Sequence, residues 1–104
     1  GLWTDPDGRA FILTDGRQPQ GIHNQLLIAD TNTGKIARLL TGVPKCEITG
    51  VTTTPDRRTL FVNIQHPGYG DPRLTNFPAP TDGETVPRDC TLAIRRKDGG
   101  IVGS

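Results

Sequence analysis

Short runs of apolar and β-branched residues, separated by polar turn sequences, recur along the whole chain. Such runs are typical of β-strands, and glycine, proline, aspartate and asparagine between them indicate turns. The pattern predicts strands over residues 2–4, 10–14, 25–30, 35–40, 48–53, 59–65 and 91–97. An eighth strand is predicted to begin at Ile101-Val102. We find no capped segment with helical periodicity, so the sequence indicates an all-β protein.

The two halves of the chain resemble each other. Residues 1–13 align with residues 50–62 at a constant offset of 49, with identical residues at five of the thirteen positions. Residues 25–28 resemble residues 91–94 at an offset of 66, so the second copy holds 17 additional residues. These fall within residues 66–90, which contain five of the nine prolines. Because proline cannot donate to a sheet ladder, we expect a long surface loop there.

This repeat decides between two architectures. Antiparallel four-stranded units repeated about every fifty residues are typical of β-propeller blades. The sequence predicts a single propeller fragment over residues 1–104, with about two blades: a first over 1–45 and a second over 46–104. A seven-stranded β-sandwich is the alternative, but it gives no reason for the repeat. The predicted inter-blade core includes Phe11, Leu13, Leu27, Leu60, Val62 and Ile94.

The composition indicates that few apolar side chains are available to form this core. Only 33% of the 104 residues are hydrophobic, and the sequence contains no methionine. We therefore expect a piece of a longer chain, whose open strand edges and apolar blade face drive self-association. The net charge of +1, with both signs mixed, predicts neither a nucleic-acid nor a membrane partner. Cys46 and Cys90 are expected to be free thiols, with one disulfide as the alternative.

Three motifs resemble a known family. They are Cys46-Glu47-Ile48-Thr49-Gly50, the run from Thr54-Pro55-Asp56 through Thr59-Leu60-Phe61-Val62 to Gln65-His66-Pro67-Gly68, and Arg95-Arg96-Lys97-Asp98-Gly99-Gly100. Together they resemble the C-terminal part of the PhoX-type bacterial alkaline phosphatases, over nearly the whole chain. A Pro-Asp-Gly turn alone would be weak support, since many propellers contain one.

The resemblance implies a function for a longer parent protein. It implies a β-propeller that hydrolyses phosphomonoesters with calcium and iron and is exported to the periplasm or outside the cell. The metal cluster would lie at one mouth of the propeller, where several blades converge. This chain would hold part of that cluster, bind no metal tightly and be inactive by itself. The alternative is a non-catalytic propeller piece that serves as a binding or scaffold module.

Glu47 and Lys45 distinguish these two interpretations. A carboxylate at the start of a strand can bind hard cations, and the resemblance implies that Glu47 contributes to the metal centre. Lys45 lies two residues earlier, so on an extended chain its side chain would point to the same face and could bind the substrate phosphate. The family often has arginine near this position, and lysine lacks the bidentate guanidinium. Cys46 alternates to the opposite face, where we expect a packed thiol.

The other polar candidates are weaker. His66 is expected to fix a turn by hydrogen bonds, with metal binding as the alternative, and His23 is weaker still. Asp15 and Asp30 end strands and are expected to be turn residues, with calcium contact as the alternative. The sequence contains no nucleotide-binding loop or serine-nucleophile motif, so the catalytic residues are unknown. Hydrolysis would have to use a metal-activated oxygen.

Overall fold

A computed structural model describes residues 1–19 and 21–104 and is built from β-strands. The strands are β1 (Leu2–Thr4), β2 (Arg9–Leu13), β3 (Gln25–Asp30), β4 (Ile36–Thr41), β5 (Glu47–Thr53), β6 (Leu60–Gln65) and β7 (Cys90–Ile94). A 3-10 helix, Pro67–Gly70, follows β6. Strands β1–β6 start and end within one residue of their predicted limits, and β7 ends three residues before the predicted Lys97. The prediction of an all-β chain is confirmed.

The strands form two antiparallel sheets in strict sequence order. The first sheet has the order β1-β2-β3-β4, and the second has the order β5-β6-β7. Each strand within a sheet therefore pairs with the next strand in the chain, as in a propeller blade. Immunoglobulin-like sandwiches instead exchange strands between sheets through Greek-key connections. The topology thus agrees with two successive blades.

The hydrophobic core lies between the two sheets. Ile48 and Ile64 face each other across the β5–β6 pair, and both are buried. β5 packs beside β1 and β2, so these side chains meet those of the first sheet. The buried cluster contains Phe11, Leu13, Leu26, Cys46, Ile48, Leu60, Val62, Ile64 and Val102. Of the predicted core residues, Phe11, Leu13, Leu60 and Val62 are confirmed, and Ile94 packs against the cluster while partly buried.

The prediction that Leu27 belongs to this core is wrong. Leu26 pairs with Leu13 and is fully buried, whereas Leu27 pairs with Ile12 on the opposite face of the sheet. Side chains on a strand alternate between faces, so an error of one residue moves a side chain to the other side. Both leucines lie in a continuous apolar run, and the run itself does not indicate which of them faces inward.

The predicted strand at Ile101-Val102 is also wrong, because the structure has a turn there. Val102 donates its backbone N–H to the carbonyl oxygen of Arg57 at 3.0 Å and buries its side chain in the core. Gly103 has a φ of 95°, and a Cβ at this position would lie 3.0 Å from Cζ of Phe11. The terminal segment therefore covers the core between the sheets instead of extending the second sheet.

The segment between β6 and β7, residues 66–89, is a long loop organised around Asn76, and Cys90 of the predicted range already belongs to β7. The residue is only 3% exposed. Its amide nitrogen donates to the carbonyl oxygens of Pro72 and Thr85, and its amide oxygen accepts the N–H groups of Asp82 and Gly83. This side chain supplies four hydrogen bonds to a segment without a sheet ladder. The loop therefore has a defined shape, although its regular structure is limited to the 3-10 helix Pro67–Gly70.

The turns of the two repeat copies share a backbone conformation. Gly8 and Arg57, which occupy equivalent positions, have φ values of 82° and 58°. Arg57 also links the copies, because its guanidinium lies 2.7 Å from the carboxylate of Asp7. This hydrogen bond is the main reason that the pKa of Asp7 lies below its usual range. The two sheets are thus joined by an ion pair as well as by the core.

The outer face of the first sheet carries a row of apolar side chains, with the exposed Arg38 opposite Leu27 at its edge. Leu2, Ile12 and Leu27 lie directly opposite one another on β1, β2 and β3, and Leu2 is 69% exposed. Ile36 on the edge strand β4 lies on the same face and is 64% exposed. Within the described residues, no helix is long and apolar enough to cross a membrane.

We expect this outer face to drive self-association of the 104-residue chain, because exposed apolar sheet faces bury themselves against other chains. Ile36→Lys should shift the population toward monomer, because it places a charge within the contact. Val86→Lys is the matched control, since Val86 is 58% exposed but lies in the long loop. Sedimentation equilibrium on the three proteins measures the shift. A monomeric parent chain, or an equal effect of both substitutions, would contradict this prediction.

Candidate functional site

A short connector over residues 42–46 joins the two sheets and leads directly into Glu47. Side chains from the first half of the chain hold this connector in place. The carbonyl oxygen of Cys46 accepts hydrogen bonds from the side-chain amides of Gln18 at 3.1 Å and Asn24 at 3.0 Å. The Gln18 side-chain oxygen in turn accepts the backbone N–H of Lys45 at 3.0 Å. The entry to β5 is therefore fixed by residues about 20 to 30 positions earlier in the sequence.

Glu47 opens β5 on the face that points away from the core. It pairs with Gln65 of β6, while its neighbour Ile48 pairs with Ile64 on the buried face. The Glu47 side chain is 27% exposed, so solvent and ions can reach its carboxylate. A half-buried carboxylate at a strand start is suited to holding a hard cation.

His66 lies beside Glu47, immediately after β6 ends. Its Nε2 is 3.5 Å from the carboxylate oxygen Oε2 of Glu47. Its Nδ1 is 2.9 Å from the carbonyl oxygen of Lys45, and its backbone N–H donates to Asp89 at 2.8 Å. The ring also stacks on Tyr69, with centroids 5.0 Å apart. His66 therefore fixes the turn through hydrogen bonds, as expected, and in addition contacts the candidate metal ligand.

Lys45 is not extended, contrary to the premise on which its direction was predicted. Its φ is 61°, because it lies in a turn before β5. Strand alternation therefore does not govern where its side chain points. The ammonium lies 3.5 Å from the carbonyl oxygen of Gln18. Among the described residues, the basic side chain within 4 Å of the Glu47 carboxylate is that of His66 and not that of Lys45.

The two cysteines are free thiols, as expected. Cys46 is completely buried on the face opposite Glu47, in agreement with its predicted packing role. Burial raises the pKa of its thiol, because the charged thiolate is poorly solvated there. Cys46 is therefore a neutral packing residue at neutral pH.

Of the remaining candidates, Asp15 and Asp30 stay apart from this group, whereas His23 lines a cavity together with Gln18 and Lys45. Asp30 accepts the backbone N–H groups of Asn32 and Thr33, which lower its pKa, and it is a turn residue as expected. Asp15 is exposed in the segment after β2. His23 has a buried Nδ1 without a hydrogen-bond partner among the described residues. It borders a shallow cavity with Gln18, Ile22 and Pro44.

The donor atoms fit a partial metal site. The Glu47 carboxylate supplies oxygen, the donor that calcium prefers and that ferric iron also accepts. In the described part of the chain, no three His, Cys, Asp or Glu side chains are grouped so that they could hold a metal ion. Glu47 can therefore supply one ligand to a metal centre, and the described residues do not bring three such side chains together. Sequence reasoning missed the partners Gln18 and Asp89, because their contacts span long stretches of chain and leave no local signal.

Comparison with known proteins places this arrangement in a family. The family model described as alkaline phosphatase PhoX matches residues 1–68. A solved structure, "Pseudomonas fluorescens PhoX in complex with vanadate, a transition state analogue", is 45% identical to this chain, with a TM-score of 0.84. The match covers 99% of this chain but 18% of that structure's chain. The comparison with curated proteins gave no match.

The structural match also bears on the architecture. It extends over both sheets at an identity well above the level needed to compare folds. The prediction that the chain is a β-propeller fragment of about two blades is confirmed. Since the family model covers well over half of the residues, the chain belongs to the alkaline phosphatase PhoX family.

Proposed function

We propose that this chain is part of a phosphatase that hydrolyses phosphomonoesters with bound calcium and iron. Family membership and the 45% identical PhoX structure support this proposal. That structure's description names vanadate as a transition-state analogue, and such analogues bind where the reaction occurs. The chain spans 18% of that structure, so the activity belongs to the longer protein.

The observation that carries the proposal is the placement of Glu47. Its carboxylate is partly exposed, on the non-core face of β5, at the end of a connector fixed by Gln18 and Asn24. Such a carboxylate can hold one side of a metal centre whose other ligands come from other blades. Bound calcium and iron would supply Lewis-acid activation and a nucleophilic oxygen. In this proposal Glu47 binds the metal and fixes its position.

Lys45 is proposed to bind the phosphate group of the substrate. Its side chain has several rotatable bonds, and its partner is the carbonyl oxygen of Gln18 at 3.5 Å, a weak contact that an anion can displace. A lysine provides a point charge, so it would neutralise the phosphate without the bidentate geometry of arginine. We also propose that the longer protein acts in the periplasm or outside the cell.

Replacing Glu47 tests the proposal. In the full-length protein that carries this chain, Glu47→Gln should reduce bound metal and lower kcat/KM for a phosphomonoester such as p-nitrophenyl phosphate by about 100-fold or more. Glu84→Gln is the matched control, because Glu84 is the only other glutamate in the sequence and is exposed in the long loop. Metal content is measured by elemental analysis and turnover by steady-state kinetics.

Two results would contradict the proposal. Full metal content and full turnover in Glu47→Gln would show that this carboxylate is not a ligand. A full-length protein without phosphatase activity, but with intact folding, would favour the binding or scaffold module instead.

A further inference from the structure

We propose that Gln18 is a positioning residue that holds Lys45 in place for the phosphate group of the substrate. This inference rests on the proposed phosphate-binding role of Lys45. It assigns a function to Gln18 in the reaction, beyond its support of the connector as such. Two hydrogen bonds from its side-chain amide to the connector carry the inference.

The Gln18 amide contacts the connector with both of its polar atoms. Its Oε1 accepts the backbone N–H of Lys45 at 3.0 Å, and its Nε2 donates to the carbonyl oxygen of Cys46 at 3.1 Å. A primary amide offers an acceptor and a donor side by side, as the backbone of a neighbouring strand does. Because β5 begins only at Glu47, this amide takes the place of a strand partner for the two residues before it.

Lys45 has a backbone conformation that needs support from its surroundings. Its φ is 61°, in the left-handed region that residues with a side chain rarely adopt. Such a conformation persists only where neighbouring groups hold it. The hydrogen bond to Gln18 holds the residue at its N–H, and its carbonyl oxygen lies 2.9 Å from Nδ1 of His66. Since the backbone angles set the direction in which the Cβ leaves the chain, these contacts also set the direction of the lysine side chain.

The two ends of the Gln18 amide are not equally replaceable. The carbonyl oxygen of Cys46 also accepts the side-chain amide of the buried Asn24 at 3.0 Å, so it keeps a partner without Gln18. In the described part of the chain, the N–H of Lys45 has Gln18 as its hydrogen-bond partner. Loss of the Gln18 amide should therefore release Lys45 and leave the entry to Glu47 in place.

The ammonium end of Lys45 lies beside the same residue. Its Nζ is 3.5 Å from the backbone carbonyl oxygen of Gln18. Ordering a long lysine side chain costs conformational entropy, which opposes the binding of an anion. Contacts at both ends of Lys45 reduce this freedom before phosphate arrives. The contact at the ammonium is long, so it can be exchanged for a phosphate oxygen.

Gln18→Met tests this role, because methionine is of similar length but cannot form either hydrogen bond. Gln18 is only half-buried, so the substitution should not prevent folding. In the full-length holoenzyme we expect inorganic phosphate to bind about 2- to 10-fold more weakly, the range expected for the loss of one typical hydrogen bond. KM for p-nitrophenyl phosphate should rise by a similar factor and kcat should change less. Bound metal should stay at the parent level, because Asn24 still holds the carbonyl oxygen of Cys46.

A double-substitution cycle shows whether Gln18 acts through Lys45. Lys45→Met removes the ammonium but keeps a side chain at this position. In that background Gln18→Met should weaken phosphate binding no further, since no ammonium is left to position. Phosphate binding is measured by titration calorimetry, KM and kcat by steady-state kinetics, and metal by elemental analysis. Gln25→Met is the matched control, because Gln25 lies on β3 and its side chain takes no part in these hydrogen bonds.

The other outcomes overturn the inference. If Gln18→Met binds phosphate like the parent while Lys45→Met does not, the inference fails and the proposed function stands. If Lys45→Met binds phosphate normally, the proposed role of Lys45 fails first and the inference with it. If Gln18→Met has the same effect in both backgrounds, or lowers the bound metal, Gln18 does not act through Lys45 and the assignment is wrong.

Discussion

The isolated 104-residue chain should give a β-sheet circular dichroism spectrum but no phosphomonoesterase turnover above background, even with calcium and iron added. The described residues contain no group of three metal-binding side chains, and the chain spans 18% of the matched PhoX structure. A centre that needs ligands from several blades loses both affinity and geometry when most of them are missing. We therefore expect the isolated chain to lose the entire rate enhancement over the uncatalysed reaction.

The comparison is made with the full-length protein at equal molar concentration, with the same metals and substrate. Full-length Glu84→Gln, which should remain active, shows that the assay detects turnover after a conservative change at an exposed position of the same segment. Metal-dependent turnover by the isolated chain, abolished by Glu47→Gln, would show that these two sheets form a complete site. Loss of the β-sheet spectrum would contradict the first half of the prediction, and the role of Glu47 is then decided by the full-length variants.

Most of the fold could be predicted from the sequence because its signals are local. Turn sequences such as Pro6-Asp7-Gly8 bracket the strands, and the repeat shows that the two halves use the same unit. The errors occurred where local pattern does not determine the outcome. Leu26 and Leu27 are chemically alike, and only pairing with Leu13 decides which is buried.

The terminal segment illustrates a second limit. Ile101-Val102 has the composition of a strand. Val102 nevertheless donates its backbone N–H to the carbonyl oxygen of Arg57, in the turn between β5 and β6, and packs its side chain into the core between the sheets. Tertiary packing thus overrides strand propensity. The choice between these outcomes depends on the shape of a gap between sheets, which no short segment of sequence describes.

The candidate site likewise contains features that have a local sequence signal and features that have none. Glu47 could be proposed as a candidate ligand from a motif and a strand start, and both are local. The direction of Lys45 could not be, because a φ of 61° at a non-glycine residue has no sequence signal here. The neighbours of Glu47 also come from far along the chain, with Gln18 supporting the connector and His66 returning from the end of β6.

Gly42→Ala should destabilise the protein by about 1–3 kcal/mol, the usual cost of overpacking a core. Gly42 is buried in the connector, and a Cβ there would lie 2.4 Å from Sγ of Cys46 and 3.0 Å from the carbonyl oxygen of Asn24. Relieving this steric clash requires the Cys46 side chain or the backbone to move. Backbone movement would disturb the hydrogen bonds that fix the entry to Glu47.

Urea unfolding, followed by Trp3 fluorescence and circular dichroism, measures this loss. Gly16→Ala is the control, because the nearest atom to a Cβ there would be 4.0 Å away and its φ is not positive, so the substitution should be near neutral. Cys46→Ala removes the clashing sulfur and leaves a small cavity, so combining it with Gly42→Ala should cost less than the sum of the two single changes. Strict additivity would show that the sulfur does not cause the strain, and the close approach to Asn24 would then have to account for it. A coupling between these two positions would instead mean that the packed thiol behind Glu47 sets the spacing of the connector, which explains why a buried, unreactive cysteine stands next to the candidate ligand.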